Sequence, residues 1–410
     1  MALNYIWIGL FFIGAIVGVS RMLFWGDSEA LPAMMDSTFE MSKMGFEMTL
    51  GLTGTLTLWM GILKIGEDSG LVKRLSQFLS PILSKLFPDV PKDHPALGSI
   101  FMNVSANMLG LDNAATPCGL KAMKELQEIN PVKDTASNPM IMFLVLNTSG
   151  LTIIPVSIMA YRAKAGATDP TDVFIPLLLT TMCSTLVGLL IVSIYQRINL
   201  FKRAFLLLFI IVGTLVCSLF WIIDGMDNTQ IQHLCRVLTS CLIIGAILLF
   251  IGSGCYKRLN VYDSFISGAK DGFNVAVSLI PYCVAILAAI GVFKASGALG
   301  LIQYGMSVAV ESLGLNSDFV GAIPVALMKP LNGSGARGMM IEAMASYGPD
   351  SFVGHLAGVL QGCTDTTFYI LAIYFGSVGI KRYRYSVTCG LMADITGMIA
   401  AVFISYFFWG

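Results

Sequence analysis

Lys329-Pro330-Leu331-Asn332-Gly333-Ser334-Gly335-Ala336-Arg337-Gly338 interrupts one of the apolar runs that make up most of this chain. Pro and Gly break a helix here, and Lys329, Arg337, Asn332 and Ser334 come with the break. At membrane depth, an irregular backbone is tolerated only where it is buried in protein or lines a cavity. A related stretch without the flanking cations runs from Asn103 to Leu120, NVSANMLGLDNAATPCGL. The pair predicts two re-entrant elements of a membrane protein. Gly333 to Gly338 also matches GxGxxG. No strand precedes it and no βαβ unit surrounds it, so a dinucleotide site is rejected; with 41 Gly in the chain, a chance match is cheap.

Composition agrees with a membrane setting. Of 410 residues, 56% are hydrophobic and 12% charged, against about 25% charged in soluble domains. The apolar runs are long and continuous, which predicts helices rather than the short alternating strands of a β-barrel. The net charge of zero offers no basis for a nucleic-acid partner. The nine Cys are scattered, with no CxxC spacing, and read as small apolar fillers. His94, His233 and His355 lie far apart without an HExxH, so no metal is expected. No GxxxxGK[ST] signals a nucleotide-driven motor, and neither Ser105 nor Ser334 has an evident base, so no enzyme and no cofactor are expected. The N-terminus lacks a cationic leader and reads as a first span rather than a signal peptide.

About 20 apolar residues cross a bilayer as a helix. Full spans are predicted near 4–25, 46–65, 139–161, 172–196, 203–223, 238–256, 272–292, 353–376 and 384–408. Residues 70–87 carry an apolar stripe with Lys73, Arg74 and Lys85 off it, the pattern of an interfacial amphipathic helix. Residues 96–128 and 320–347 are the interrupted segments.

The two halves match in order. Lys43-Met44-Gly45-Phe46 aligns with Lys270-Asp271-Gly272-Phe273, Ser69-Gly70 with Ser296-Gly297, and Lys121-Ala122-Met123 with Glu342-Ala343-Met344. The expected fold class is an all-α polytopic membrane protein. It has two inverted repeats of about four spans, each with an interfacial helix and a re-entrant broken-helix hairpin, joined by a linker span. Repeat one is 1–197, a linker with one transmembrane helix is 198–237, and repeat two is 238–410. Lys and Arg concentrate on one face only if the hairpins are re-entrant. The positive-inside rule then makes the N-terminus cytoplasmic and the C-terminus external.

The polar residues near the breaks are the candidate binding set. The first hairpin offers Asn103, Ser105, Asn107, Asn113 and Thr116; Asp112-Asn113 reads as an N-cap, with Pro117 in the first turn that follows. A helix N-terminus at mid-membrane presents free N–H groups to anionic or carbonyl oxygens. The second hairpin adds Asn332, Ser334 and Arg337; Lys329 either joins them or snorkels to the surface. Intramembrane ionisable groups are expensive and usually functional. A third constellation pairs Asn147, Thr148 and Ser149 with Gln361, Thr364 and Thr367. Asp365 beside them is either a coupling-ion ligand, for Na⁺ or a proton, or a charge balance for Arg337. Asp394 is a further isolated carboxylate.

At these residues the chain resembles a head-to-tail fusion of the bacterial spore maturation proteins A and B, of the nucleoside-recognition Gate family. DHPALG at 93–98, LGLDNAATPCGLKAM at 109–123 and NTSGLTIIP at 147–155 carry the first match. KPLNGSGARGMM at 329–340, YGPDSFVG at 347–354 and TDTTFYILAIYFGSVGIK at 364–381 carry the second. Related Gate segments occur in concentrative nucleoside transporters and in the membrane part of the ferrous-iron transporter B. The resemblance implies a permease-like fold in the bacterial inner (plasma) membrane. The family's role in spore-core dehydration leaves the substrate open. Iron is disfavoured, because no GTP-binding domain is present and no Cys or Met cluster marks the hairpins.

The expected function is a transporter of a small polar or anionic, nucleoside-like solute held between the hairpins. The alternative from another class is a non-transporting scaffold or regulator of envelope or spore maturation. The expected partners are the lipid bilayer and the solute; a homo-oligomer is left open.

Overall fold

The computed structural model describes residues 2–108, 112–198, 214, 228–314 and 316–410. Among the described residues the protein is all α, without strands. Its helices are α1 (Ala2–Trp25), α2 (Ala30–Asp68), α3 (Leu71–Leu83), α4 (Pro95–Met108), α5 (Asp112–Glu128), α6 (Asn138–Ser149), α7 (Val156–Lys164) and α8 (Phe174–Gln196). They continue as α9 (Asn228–Tyr256), α10 (Val261–Ala295), α11 (Ala298–Ser312), α12 (Ile323–Met328), α13 (Gly333–Tyr347), α14 (Phe352–Gly362), α15 (Thr367–Ser377) and α16 (Ser386–Trp409). Six spans among these residues are long and apolar enough to cross a membrane, or seven with α10 and α11 counted as one bent pair. Outward faces stay apolar, as at Phe12, Ile16, Leu248 and Phe403, each more than 60% exposed. Such faces suit lipid. This is a multi-pass helical membrane protein.

Several predicted spans change on folding. The helix expected at 46–65 starts at Ala30 and has 39 residues, about 58 Å at 1.5 Å per residue. Asp36, Glu40, Lys43 and Glu47 keep its first half out of an apolar window, yet they leave the helical hydrogen bonding intact. The spans expected at 139–161 and 353–376 are each interrupted: α6 gives way to α7 across residues 150–155, and α14 to α15 across 363–366. Hydropathy averages over such gaps, so windowed reading misses them. Pro117 lies inside α5 rather than in its first turn, because the helix already begins at Asp112. The expected span at 203–223 lies outside the described residues, Thr214 apart.

One local device recurs in both halves. Ser69 Oγ donates to Gly66 O at 2.9 Å, and Gly70 then takes φ +77°. Ser296 Oγ donates to Phe293 O at 2.8 Å, and Gly297 takes φ +86°. The Ser closes the last turn and the Gly enters the left-handed region that side chains avoid. A short helix follows each turn: α3 in the first case, α11 in the second. The α10–α11 pair is bent by 68°. α3 runs through the predicted interfacial stretch, and α11 stands after the turn where repeat two was expected to carry its own interfacial helix.

The chain forms two compact units, and each draws on both halves of the sequence. The first unit holds Met1–Gly61, Val156–Pro170 and Ile266–Gln361. In it, α2 and α10 approach at glycines. A Cβ on Gly272 would lie 2.7 Å from Leu56 O, and one on Gly45 would lie 3.1 Å from the Val284 backbone. Small residues let membrane helices pack backbone to backbone where burial of oil against oil gives no drive. The buried Arg162 guanidinium fastens α7 to the turn before α14. Its Nη1 donates to Pro349 O at 2.6 Å, and its Nη2 lies 3.3 Å from Asp350 Oδ1.

The second unit holds Ile62–Pro155, Thr171–Phe265 and Gly362–Gly410. Its core joins Phe87 and Ile100 to Met123, Leu126, the buried run Met140–Val145, and Phe375. Here α4 and α5 pack on each other as a helical hairpin, with α3 against α4 and α16 against α8 and α6.

Candidate functional site at the interrupted helices

In the second unit the breaks meet. Asp365 N donates to Thr148 O at 2.7 Å, so the gap after α14 is hydrogen-bonded to the end of α6. Ile153 N donates to Met108 O at 2.9 Å, which ties the gap after α6 to the end of α4. Thr185 Oγ1 on α8 donates to Ser149 O at 3.3 Å. Five freed backbone groups at these helix ends are thus satisfied by neighbouring segments, as backbone at this depth requires.

A buried carboxamide and phenol network surrounds this crossing. Asn107 Nδ2 donates to Asn147 Oδ1 at 2.8 Å, and Tyr374 Oη donates to the same oxygen at 3.2 Å. Asn147 Nδ2 donates back to Phe143 O at 2.9 Å. Asn103 Nδ2 bridges the hairpin by donating to Ala115 O at 2.8 Å, and it also reaches Tyr374 Oη at 3.2 Å. The Tyr374 ring stacks on Phe143 at 5.5 Å between centroids. Ser105 Oγ and Thr148 Oγ1 are buried without a hydrogen-bond partner among the described residues. An orphaned hydroxyl in a low-dielectric interior is unfavourable by about 1–3 kcal/mol, so it marks a place where a polar ligand gains by binding.

The fate of each predicted residue differs. Asn103, Asn107 and Asn147 are brought together, and Thr148, Ser149, Thr364 and Thr367 are buried around the breaks. Thr116 is exposed, and the Asn113 side chain lies outside the described residues. Asp365 is exposed too; its Oδ1 accepts from Thr366 N at 2.7 Å and so caps its own turn. Among the described residues, Asp394 of α16 is a fully buried carboxylate, and its Oδ2 accepts from Thr367 Oγ1 at 2.6 Å. Tyr374 was missed because it sits in a continuous apolar run. Its one signal was a hydroxyl on a stretch otherwise fit for lipid.

In the first unit, the break between α12 and α13 is closed locally. Asn332 N and Leu331 N donate to Met328 O at 2.8 and 3.1 Å. Asn332 Oδ1 accepts from Gly335 N at 2.7 Å, capping α13. Lys329 is 6% exposed, so it does not snorkel freely into water. The Arg337 guanidinium lies 5.6 Å from the Tyr161 ring centroid, within range of a cation–π contact. Gln361 Nε2 donates to Gly333 O at 3.5 Å, while its buried Oε1 has no partner among the described residues. Ser334 is half-buried on the first turn of α13. The N-terminus of α13 brings the positive end of its dipole to this break.

Comparison with known proteins follows the same two-part organisation. The Gate profile, described as nucleoside recognition, matches residues 49–167 and 276–381. Spore maturation protein B of Bacillus subtilis (strain 168) is 44% identical over 169 residues, 41% of this chain and 92% of that protein. Spore maturation protein A of the same organism is 38% identical over 192 residues, 47% of this chain and 94% of that protein. The two relatives cover the two halves of the chain. No solved structure matches the chain. The profile spans more than half of the sequence and each relative is matched over nearly its whole length, so the chain belongs to the Gate, nucleoside recognition, family, with one Gate segment in each half.

Proposed function

We propose that this protein is a permease for a small polar solute, nucleoside-like in its hydrogen-bonding groups, in the bacterial plasma membrane. The observation that carries the reading is the junction of interrupted helices in the second unit, where Asp365 N meets Thr148 O at 2.7 Å inside a shell of buried Asn, Ser, Thr and Tyr side chains. Transporters characteristically bind their substrates at discontinuous membrane helices. Carboxamides suit ring nitrogens and carbonyls, and hydroxyls suit a ribose, so the family description and the chemistry point the same way. Asn103, Ser105, Asn107, Asn147, Thr148 and Ser149 are assigned to the solute. Asn332, Ser334, Arg337 and Gln361 are assigned to a second locus, where the N-terminus of α13 suits an anionic group. The recurrence of the Ser-Gly turn, the hairpin and the interrupted span in both halves supports two inverted repeats, and charge bias supports a cytoplasmic N-terminus and an external C-terminus.

The test is a thermal-shift screen of the purified protein against nucleosides, dicarboxylates and metal ions, followed by uptake into proteoliposomes. A nucleoside-class ligand is expected to raise the unfolding temperature, and Asn107→Ala is expected to weaken that response. If no class shifts the protein and no flux is measured, the permease reading fails and a scaffold role in maturation takes its place.

A further inference from the structure

Asp394 is fully buried on the last span, beside the gap between α14 and α15, and the solute reading makes no use of it. Oxygen atoms of Thr367 and of the neighbouring backbone lie about it. Thr367 Oγ1 donates to Asp394 Oδ2 at 2.6 Å, which leaves the hydroxyl lone pairs for another partner. Ser184 Oγ on α8 donates to the adjacent Ala393 O at 3.0 Å. Two glycines of α16 bring the breaks close on either side. A Cβ on Gly397 would lie 3.3 Å from Cys363 O, and one on Gly390 would lie 3.4 Å from Thr367 Oγ1 and 3.6 Å from Thr148 Cγ2. Thr148 Oγ1 is completely buried there without a hydrogen-bond partner among the described residues.

We infer that Asp394, Thr367, Thr148 and the Cys363 carbonyl form a binding site for a hard monovalent cation, sodium, at the α14–α15 break. Carboxylate, hydroxyl and carbonyl oxygens select hard cations over thiophilic ones. Asp394 brings one negative charge, which matches a monovalent ion; divalent sites recruit more carboxylates. The carbonyls that follow a half-helix carry the negative end of its dipole, as cation sites in transporters use it. Thr148 also links this site to the solute network, because Asn147 precedes it on the same turn of α6. The purpose of the cation, coupling its gradient to the solute, rests on the permease reading; its binding does not.

The experiment therefore uses the full-length protein in detergent without solute. Unfolding temperature is followed while sodium replaces choline at constant ionic strength, with potassium and lithium as further arms. A saturable, sodium-selective rise is expected in the wild type, as for any ligand bound by the native state alone. Asp394→Asn is expected to abolish it, and Thr367→Val to weaken apparent affinity by at least about tenfold. If Asp394→Asn does not fold, Thr367→Val and direct binding of radioactive sodium to the wild type decide. Asp365→Asn separates the two carboxylates: a retained response supports Asp394. A wild type indifferent to sodium, a response kept in both Asp394→Asn and Thr367→Val, or one lost in Asp365→Asn overturns the inference. Sodium binding without any solute response would sink the permease reading alone, and solute binding without sodium this site alone.

Discussion

Asn147→Ala is the sharpest probe of the buried network. Asn147 Oδ1 accepts from Asn107 Nδ2 at 2.8 Å and from Tyr374 Oη at 3.2 Å. Truncation strands the Tyr374 hydroxyl and leaves Asn107 Nδ2 only its 3.5 Å bond to Asn103 Oδ1; soluble-protein values put a stranded donor at about 1–3 kcal/mol. Interhelical hydrogen bonds in membranes are weaker, about 0.6 kcal/mol on average and at most about 1.7, because the unfolded reference also finds partners. Asn147→Ala is therefore expected to destabilise by about 1–3 kcal/mol. Tyr374→Phe removes a satisfied donor but leaves Asn147 Oδ1 accepting from Asn107 and Asn103 bound to Ala115 O, and about 1 kcal/mol is expected for it. With both changes, the Tyr374 donor is no longer stranded, so the double variant is expected to fall short of the sum by about 0.6–1.7 kcal/mol. Reversible unfolding in mixed micelles measures all four proteins of the cycle. Additivity within about 0.3 kcal/mol would show that Tyr374 and Asn147 do not act together, and the account of the network would be wrong.

Three further outcomes are expected. Gly272→Ala puts a Cβ 2.7 Å from Leu56 O, whereas a Cβ on Gly252 meets nothing within 4 Å. The first should destabilise by about 1–3 kcal/mol and the second should stabilise by up to about 1 kcal/mol through helix propensity, which paired thermal melts would separate. Gly70→Ala and Gly297→Ala each force a side chain into the left-handed region, at φ +77° and +86°; each should lose about 1–2 kcal/mol, and a neutral result at either would remove it as an equivalent turn. Asp350 tests linkage. Burial pushes its carboxyl up, but the Thr168 hydroxyl and N–H at 2.7 and 2.9 Å and the Arg162 guanidinium hold it below the usual carboxylate range. A depressed folded value means the stabilisation is present above the unfolded value of about 3.9 and drains away as pH falls through the lower folded one. Asp350→Asn should flatten that acid limb of the melting-temperature profile, and an unchanged limb would assign it to other groups.

The sequence by itself determined the membrane setting, the helical class, the two hairpins and most of the polar side chains around the breaks. Those features are local: apolar length, Pro-Gly-Asn interruptions and the scarcity of charge act within a few turns of chain, where composition and spacing can be read directly. Tertiary structure decided what those residues meet. The gaps at 150–155 and 363–366 are short interruptions in runs apolar enough to pass for one helix, and their backbone groups find distant partners: Asp365 N bonds Thr148 O across more than 200 residues of chain, and Ile153 N bonds Met108 O. Asp365 and Asp394 are equally conspicuous in the sequence as carboxylates near apolar runs. Packing leaves the first exposed on its own turn and encloses the second against Thr367. Which carboxylate is buried, and which hydroxyls face it, depends on how α16 lies across α8 and α6, and contacts between distant segments leave no periodicity in the chain that makes them.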